Sequence, residues 1–319
     1  MLEKSMAEDL RSSWSKVGSM NPFQPPGSRL LRDPWDVRIE PSNAGEVVVV
    51  GVPWDWSTSG RPGARYAPSR LRDWIYRFTR HAPSSTDFKY SIADLGDVRV
   101  APGDINVTSR RIVEAARIAY TRGKLVAFLG GDHSITRWTV EPLAENSLGL
   151  LVLDAHYDMR SVEEGLTSGS WLWDLWVAHK GRVKAVIVGV SDFNNPEYLA
   201  MRAMEAGFKV IPRLKLLESL QYALEAVDWL SEQGLENFYI SIDVDHLDIS
   251  HAPGVNSPTP LGMTPWESLR ILEYAARKLK PRGVDVVEVT PQHDVAEVTV
   301  ATTAKLLLYT IHNTILNTT

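Results

Sequence analysis

Gly149-Leu150-Leu151-Val152-Leu153 runs directly into Asp154-Ala155-His156-Tyr157-Asp158. An unbroken apolar run of this length reads as a parallel strand buried on both faces, because a half-exposed strand would alternate apolar with polar. The three ligand-type side chains that follow are spaced i, i+2, i+4, so strand geometry persisting past Leu153 would point all three to one side. Two further segments repeat this design. Leu125–Leu129 (LVAFL) leads into Gly130-Gly131-Asp132-His133, and the run 238–243 (FYISID) ends in Ser241-Ile242-Asp243-Val244-Asp245. The sequence therefore predicts that His133, Asp154, His156, Asp158, Asp243 and Asp245 gather along one edge of a sheet. That is where open α/β sheets place their sites.

Working outward, similar runs recur at 47–52, 185–190, 208–211 and 284–289, and segments of helical spacing lie at 107–122, 135–146, 196–206, 214–233, 265–279 and 302–316. Thr264 before Pro265, with Glu267 in the first turn, is a helix start. Strand and helix alternate through most of the chain. That order implies an α/β fold with a mainly parallel sheet and helices on both faces. Residues 1–45, rich in proline and polar residues, read as an N-terminal arm, and 46–319 as one catalytic domain.

Composition narrows the chemistry. The chain has 319 residues, with 34 basic against 39 acidic side chains and a net charge of −5, which argues against a nucleic-acid surface and for a small-molecule substrate. No cysteine is present, so thiolate ligands, iron–sulfur clusters and disulfides are excluded, and a metal must be held by oxygen and imidazole. No stretch approaches the ~20 apolar residues that cross a bilayer, and the start lacks an apolar signal region. The expectation is a soluble, cytoplasmic protein with no membrane partner.

A single Asp-x-Asp at a strand end is often only a solvated turn. Three such segments together, with four carboxylates that would be costly to bury unpaired, point to metal. Oxygen donors with two imidazoles suit Mn²⁺ better than Zn²⁺, and two divalent cations offset four carboxylates while acidifying a shared water. The implied chemistry is metal-assisted hydrolysis.

At these residues the chain resembles the ureohydrolases: arginase, agmatinase, formimidoylglutamase and their relatives. The motifs are GGDHS at 130–134, DAHxD at 154–158, SxDxDxxD at 241–248 with APG at 252–254, and VEV at 287–289; GVPWDWSTSGRPGARYAP at 51–68 and DLGDV at 94–98 also fit. The resemblance implies a three-layer αβα fold with about eight strands, two Mn²⁺ ions per subunit, and hydrolysis of a C–N bond at a guanidinium or formimidoyl carbon. It implies a homo-oligomer, trimer or hexamer. It makes the six side chains above the metal ligands, Asp158 also a catalytic group that relays a proton, and Glu288 the acid facing the cationic C–N group.

Within the family, agmatinases and arginases usually carry a histidine in the loop after DAHxD. Here the loop reads Gly165-Leu166-Thr167-Ser168-Gly169-Ser170-Trp171, without one. Formimidoylglutamases read DAHxDxR, so Arg160, Ser168 and Gly169 are expected substrate-binding residues, and N-formimidoyl-L-glutamate the expected substrate, cleaved to glutamate and formamide. Arg160 would hold one of its carboxylates, and Arg137 is a weaker second cation. The alternatives are agmatinase or arginase chemistry with urea released, or a catalytically inactive metal-binding relative, which the absent loop histidine keeps open. Two features depart from formimidoylglutamases: Ser170-Trp171-Leu172-Trp173 stands where they carry a Thr-Pro-Phe-Arg-like segment, and RPGARYAP at 61–68 is closer to agmatinases. Trp171, Trp173 and Trp176 would line a lid or belong to the core, where aromatics at this spacing more often lie.

Overall fold

The computed structural model describes residues 38–83, 85–163 and 165–316; most of the expected N-terminal arm lies outside them. The sheet is built from β1 (Pro41–Ser42), β2 (Val47–Gly51), β3 (Ile92–Asp97), β4 (Leu125–Leu129), β5 (Leu148–Leu153), β6 (Val183–Val190), β7 (Lys209–Pro212), β8 (Asn237–Asp243) and β9 (Gly283–Val287). Their order across the sheet is β1-β3-β2-β4-β9-β8-β5-β6-β7. Every strand pairs parallel to its neighbours.

Among the described residues nine strands stand where about eight were expected. The two that the apolar runs did not show are β1, only two residues long, and β3, whose Ile-Ala-Asp-Leu-Gly-Asp carries carboxylates at the sheet margin. Alternation explains the layers. Val47 and Val49 belong to one core cluster and Val48 and Val50 to the other, and Leu151 and Leu153 separate likewise from Leu150 and Val152. Helices Ala67–Ile75, Gln221–Ser231, Pro265–Leu279 and Val298–Leu316 cover the first face, while Ile105–Arg122, Trp171–Ala178 and Glu197–Glu205 cover the second. Strand residues buried on both sides are what made the runs unbroken. No helix of the described residues is long and apolar enough to cross a membrane.

Two expected helices are split. The segment 135–146 forms Thr136–Thr139 and Glu141–Ala144, with Pro142 unable to continue the hydrogen-bond ladder of the first. The segment 214–233 breaks where Ser219 adopts an extended backbone. The start at Thr264 is a full capping box: Thr264 Oγ1 accepts from the Glu267 amide, and Glu267 Oε2 accepts from the Thr264 amide at 2.7 Å.

Strand order places the site. β4 and β5 are consecutive in this chain yet stand apart in the sheet, separated by β9 and β8. The carboxyl ends of these four central strands therefore lie side by side.

Candidate metal centre

His133 follows β4, Asp154 follows β5, Asp243 ends β8, and Glu288 follows β9. The ligand segments leave the sheet as turns rather than prolonging it, which corrects the simple i, i+2, i+4 reading. Asp158 has a left-handed backbone (φ 51°), and Asp245 sits in the short 3₁₀ turn Val244–His246. The carboxylates hold their own turns, with Asp154 Oδ1 accepting from the His156 amide at 2.6 Å and Asp243 Oδ1 from the Asp245 amide at 2.9 Å. Gly131 is obligatory, because a Cβ there would lie 1.6 Å from the Trp54 carbonyl oxygen.

The six predicted side chains form two groups that share Asp154. His133, Asp154, Asp158 and Asp243 make one, and Asp154, His156 and Asp245 the other; within each, one ligand atom per residue lies within 4.8 Å of the rest. His133 Nδ1 stands 3.2 Å from Asp154 Oδ2, 2.9 Å from Asp158 Oδ2 and 2.9 Å from Asp243 Oδ2. It makes no directed hydrogen bond to any of them. Spacings near 3 Å are the edges expected of a polyhedron with metal–ligand bonds of about 2.1 Å.

The tautomer agrees with that reading. His133 Nε2 lies 2.9 Å from Ser241 Oγ, which donates to Asp285 Oδ1 at 2.6 Å. With Ser241 so engaged, the ring proton belongs on Nε2 and Nδ1 presents its lone pair to the cluster. Asp285 is fully buried and accepts also from Thr136 Oγ1 (2.7 Å) and Tyr239 hydroxyl (2.8 Å). The spacing argument missed this relay. Two signals were present: Ser241 lies two residues before Asp243 on the same strand face, and Asp285 is a lone charge inside the apolar β9.

Without cations, protons must relieve the crowding of charge. Burial, then the charges of Asp245 and Asp154, hold the Asp243 carboxyl well above its usual range. Burial and the Asp154 charge push Asp158 up to about 6. Burial opposes an imidazolium at His156, but Asp245 and Asp154 outweigh it and push the ring up to about 12; His133 rises likewise against burial through Asp154, Asp158 and Asp243. Asp154 is the exception, since His133 and His156 overcome its burial and pull it down. The cluster thus fits cations electrostatically and geometrically.

A pH dependence follows. Asp158 retains in the native state a proton that the unfolded chain has lost, so this group makes the metal-free protein less stable as pH climbs from the carboxylate range through about 6. Entering cations must displace protons from His133, His156 and Asp158, so Mn²⁺ binding tightens with pH, by about tenfold per unit for each proton released. Calorimetric titration in buffers of different ionisation enthalpy measures that release. An affinity flat from pH 5.5 to 7.5 would contradict it.

A cavity of about 230 Å³ opens over the cluster, lined among others by Asp158, Asp243, Asp245, Glu288, Asn256, Arg160, Ser168 and Gly169. The expected substrate residues Arg160, Ser168 and Gly169 are therefore brought together at the site. The Arg160 chain lies across Gly169, where a Cβ would meet Arg160 Cδ at 3.1 Å and Nε at 3.2 Å. Ser168 is tied to the opposite loop, its amide donating to the Ser57 carbonyl at 2.9 Å and its hydroxyl accepting from the Ser59 amide at 3.2 Å. Glu288 is buried in a left-handed backbone (φ 66°); its Oε1 accepts from the His133 amide at 2.8 Å, while Oε2 has no donor among the described residues. Such strain persists because surrounding contacts fix it: the Glu288 amide donates to Gly131, and its carbonyl accepts from Asn256.

Trp171 is fully buried and Trp176 nearly so, in keeping with the core reading of these aromatics, and Trp171 Nε1 donates to Asp158 Oδ2 at 2.8 Å, so Trp171 supports the cluster from the core. Arg137 is paired with Asp174 and Glu141, away from the cavity. His246 is a buried clip between the Asp243 carbonyl and Ser268 Oγ.

Comparison with known proteins extends these findings. The family model described as "Arginase family" matches residues 45–312. A formimidoylglutamase of Halobacterium salinarum is 33% identical over 280 residues, covering 84% of this chain and 89% of that protein. A mitochondrial guanidino acid hydrolase of Homo sapiens is 32% identical over 302 residues, covering 89% of this chain and 84% of that protein. The crystal structure of formimidoylglutamase from Bacillus subtilis superposes with a TM-score of 0.83 over 95% of this chain and 98% of that one; at 22% identity it shows the shared fold. With the three ligand segments at the ends of its central strands and a family match running almost its whole length, the chain belongs to the arginase family, as a hydrolase of C–N bonds in amidines and guanidines.

Proposed function

We propose that the protein hydrolyses N-formimidoyl-L-glutamate to L-glutamate and formamide, using two Mn²⁺ ions held by His133, Asp154, His156, Asp158, Asp243 and Asp245. The observation that carries the substrate is the charge of the cavity. Among the described residues, Arg160 is the one cationic lining side chain apart from the histidine of the cluster, and the acids are the cluster carboxylates and Glu288. Agmatine would bring a second cation for which the described lining residues hold no further acid. A carboxylate tail finds Arg160.

When bound, a pair of divalent cations supplies an acidified water as the nucleophile. The protein's own groups do the rest. Glu288 Oε2 accepts an N–H of the amidinium and turns its carbon toward the cluster. Asp158, whose Oδ2 is engaged by Trp171 Nε1, takes up on its other oxygen the proton that the adding water loses and passes it to the departing glutamate nitrogen. With no loop histidine, that transfer falls to Asp158. We take the protein to be cytoplasmic and homo-oligomeric, with residues 46–319 as the catalytic body.

The test is a panel of formimidoyl and guanidino substrates with Mn²⁺-loaded protein, scoring formamide and urea separately, alongside Arg160→Ala. Formamide from formimidoyl-glutamate is expected. For that substrate Arg160→Ala should raise KM about 10–100-fold with kcat little changed, the size of one lost charge-assisted hydrogen bond. Urea from agmatine without formamide would overturn the assignment. A guanidino acid also carries a carboxylate for Arg160, and urea from that class would identify it as the substrate instead.

A further inference from the structure

Glu288 has one wholly unengaged oxygen to offer a substrate, because the other already accepts from the His133 amide. An amidinium headgroup brings at least three N–H bonds, and each needs an acceptor once the cavity excludes water. A second buried acceptor lines the same cavity. Asn256 is 6% exposed; its Nδ2 donates to Thr58 Oγ1 at 3.1 Å, and its Oδ1 has no donor among the described residues.

The backbone of the residue is held on both sides, which keeps its side chain at the wall of the cavity. The Asn256 amide donates to the Glu288 carbonyl at 3.2 Å, coupling the two residues through their backbones. Its own carbonyl accepts from the Arg61 amide at 3.1 Å and from Arg61 Nε at 3.4 Å, and the same guanidinium reaches the Pro253 and Val255 carbonyls at 3.2 and 2.6 Å. Buried acceptors are rarely left unpaired, and one lining a binding cavity is satisfied when the ligand arrives.

We propose that Asn256 is a second substrate-recognition residue, whose Oδ1 accepts an N–H of the amidine headgroup beside Glu288 Oε2. Two acceptors in one wall select a protonated C=NH₂⁺ group. They disfavour the neutral carbonyl of the matching N-formyl compound, which would set oxygen against oxygen. This deepens, and rests on, the assignment of an amidine substrate with a carboxylate tail.

Asn256→Leu keeps the size and removes the acceptor; Asn256→Asp keeps the acceptor. In the Mn²⁺-loaded protein, Asn256→Leu is expected to lower kcat/KM for formimidoyl-glutamate about 10–100-fold, while calorimetric binding of glutamate, which lacks the headgroup, stays within threefold of wild type. Asn256→Asp should recover most of the loss. The proposal is overturned if Asn256→Leu stays within threefold of wild type, if glutamate binding weakens in parallel, or if Asn256→Asp is as impaired as Asn256→Leu. Should the wild type release urea from a guanidino acid instead, the same variants are compared on that substrate and its amine product. The substrate assignment then fails, and the same thresholds on the guanidino acid decide the role of Asn256.

Discussion

Asp243→Asn is expected to lower turnover by at least 10³-fold, about 4 kcal/mol of transition-state stabilisation, and at the same time to make the metal-stripped protein more stable. The two effects have one origin. Asp243 is buried between Asp154 and Asp245, and its carboxyl is held well above the usual range because its charge is unwelcome there without cations. A folded-state value raised above the unfolded one means that ionised Asp243 costs stability at neutral pH, so a neutral amide removes that cost. A gain of about 1 kcal/mol corresponds to roughly 2–4 °C in Tm for a body of this size. The same substitution deletes an anionic ligand from the group of His133, Asp154 and Asp158, so added Mn²⁺ should no longer raise Tm as it does in the wild type. Melting curves with and without chelator check both signs. A variant less stable than wild type in chelator, yet fully responsive to Mn²⁺, would mean that Asp243 serves packing and not cation binding.

Glu288→Gln should cost about 10²–10³-fold in kcat/KM, or about 3–4 kcal/mol, with metal content unchanged. Glu288 lines the cavity with an oxygen that has no donor among the described residues, while its other oxygen accepts from the His133 amide. Glutamine can keep that bond to His133 only by placing its carbonyl oxygen there. Its NH₂ group then meets the cationic headgroup, replacing a charge-assisted acceptor with a donor against donors. The loss should be large for any amidinium or guanidinium substrate, so it tests the role of Glu288 independently of the tail. Retention of more than a tenth of the wild-type kcat/KM, or loss of bound metal, would remove Glu288 from the headgroup contact.

Much of this site was legible in the residues. Parallel strands buried on both faces leave unbroken apolar runs, and each ligand segment follows such a run within four residues, so strand ends and ligands could be read together. What escaped were features without a local signature. The helix Trp171–Ala178 is almost uniformly apolar and shows little periodicity, which left its tryptophans open to being read as a lid. Only the structure shows Trp171 beneath Asp158. Glu288 was read inside a strand that ends one residue earlier, because the left-handed turn at that position follows from its contacts with Gly131 and Asn256.

Sequence alone determined the candidate ligands, the exclusion of thiolate and disulfide chemistry and the parallel α/β architecture, since all three depend on residue type and on spacings of a few residues. Tertiary structure decided which oxygens remain free for a substrate. That depends on β9 and β8 lying between β4 and β5, which sets Ser241 opposite Asp285, brings the His133 amide to Glu288 across 155 residues of chain, and joins Asn256 to Glu288. Hydrogen bonds are satisfied in space between atoms about 3 Å apart, and spacing along the chain carries no record of which distant partner will use a given lone pair.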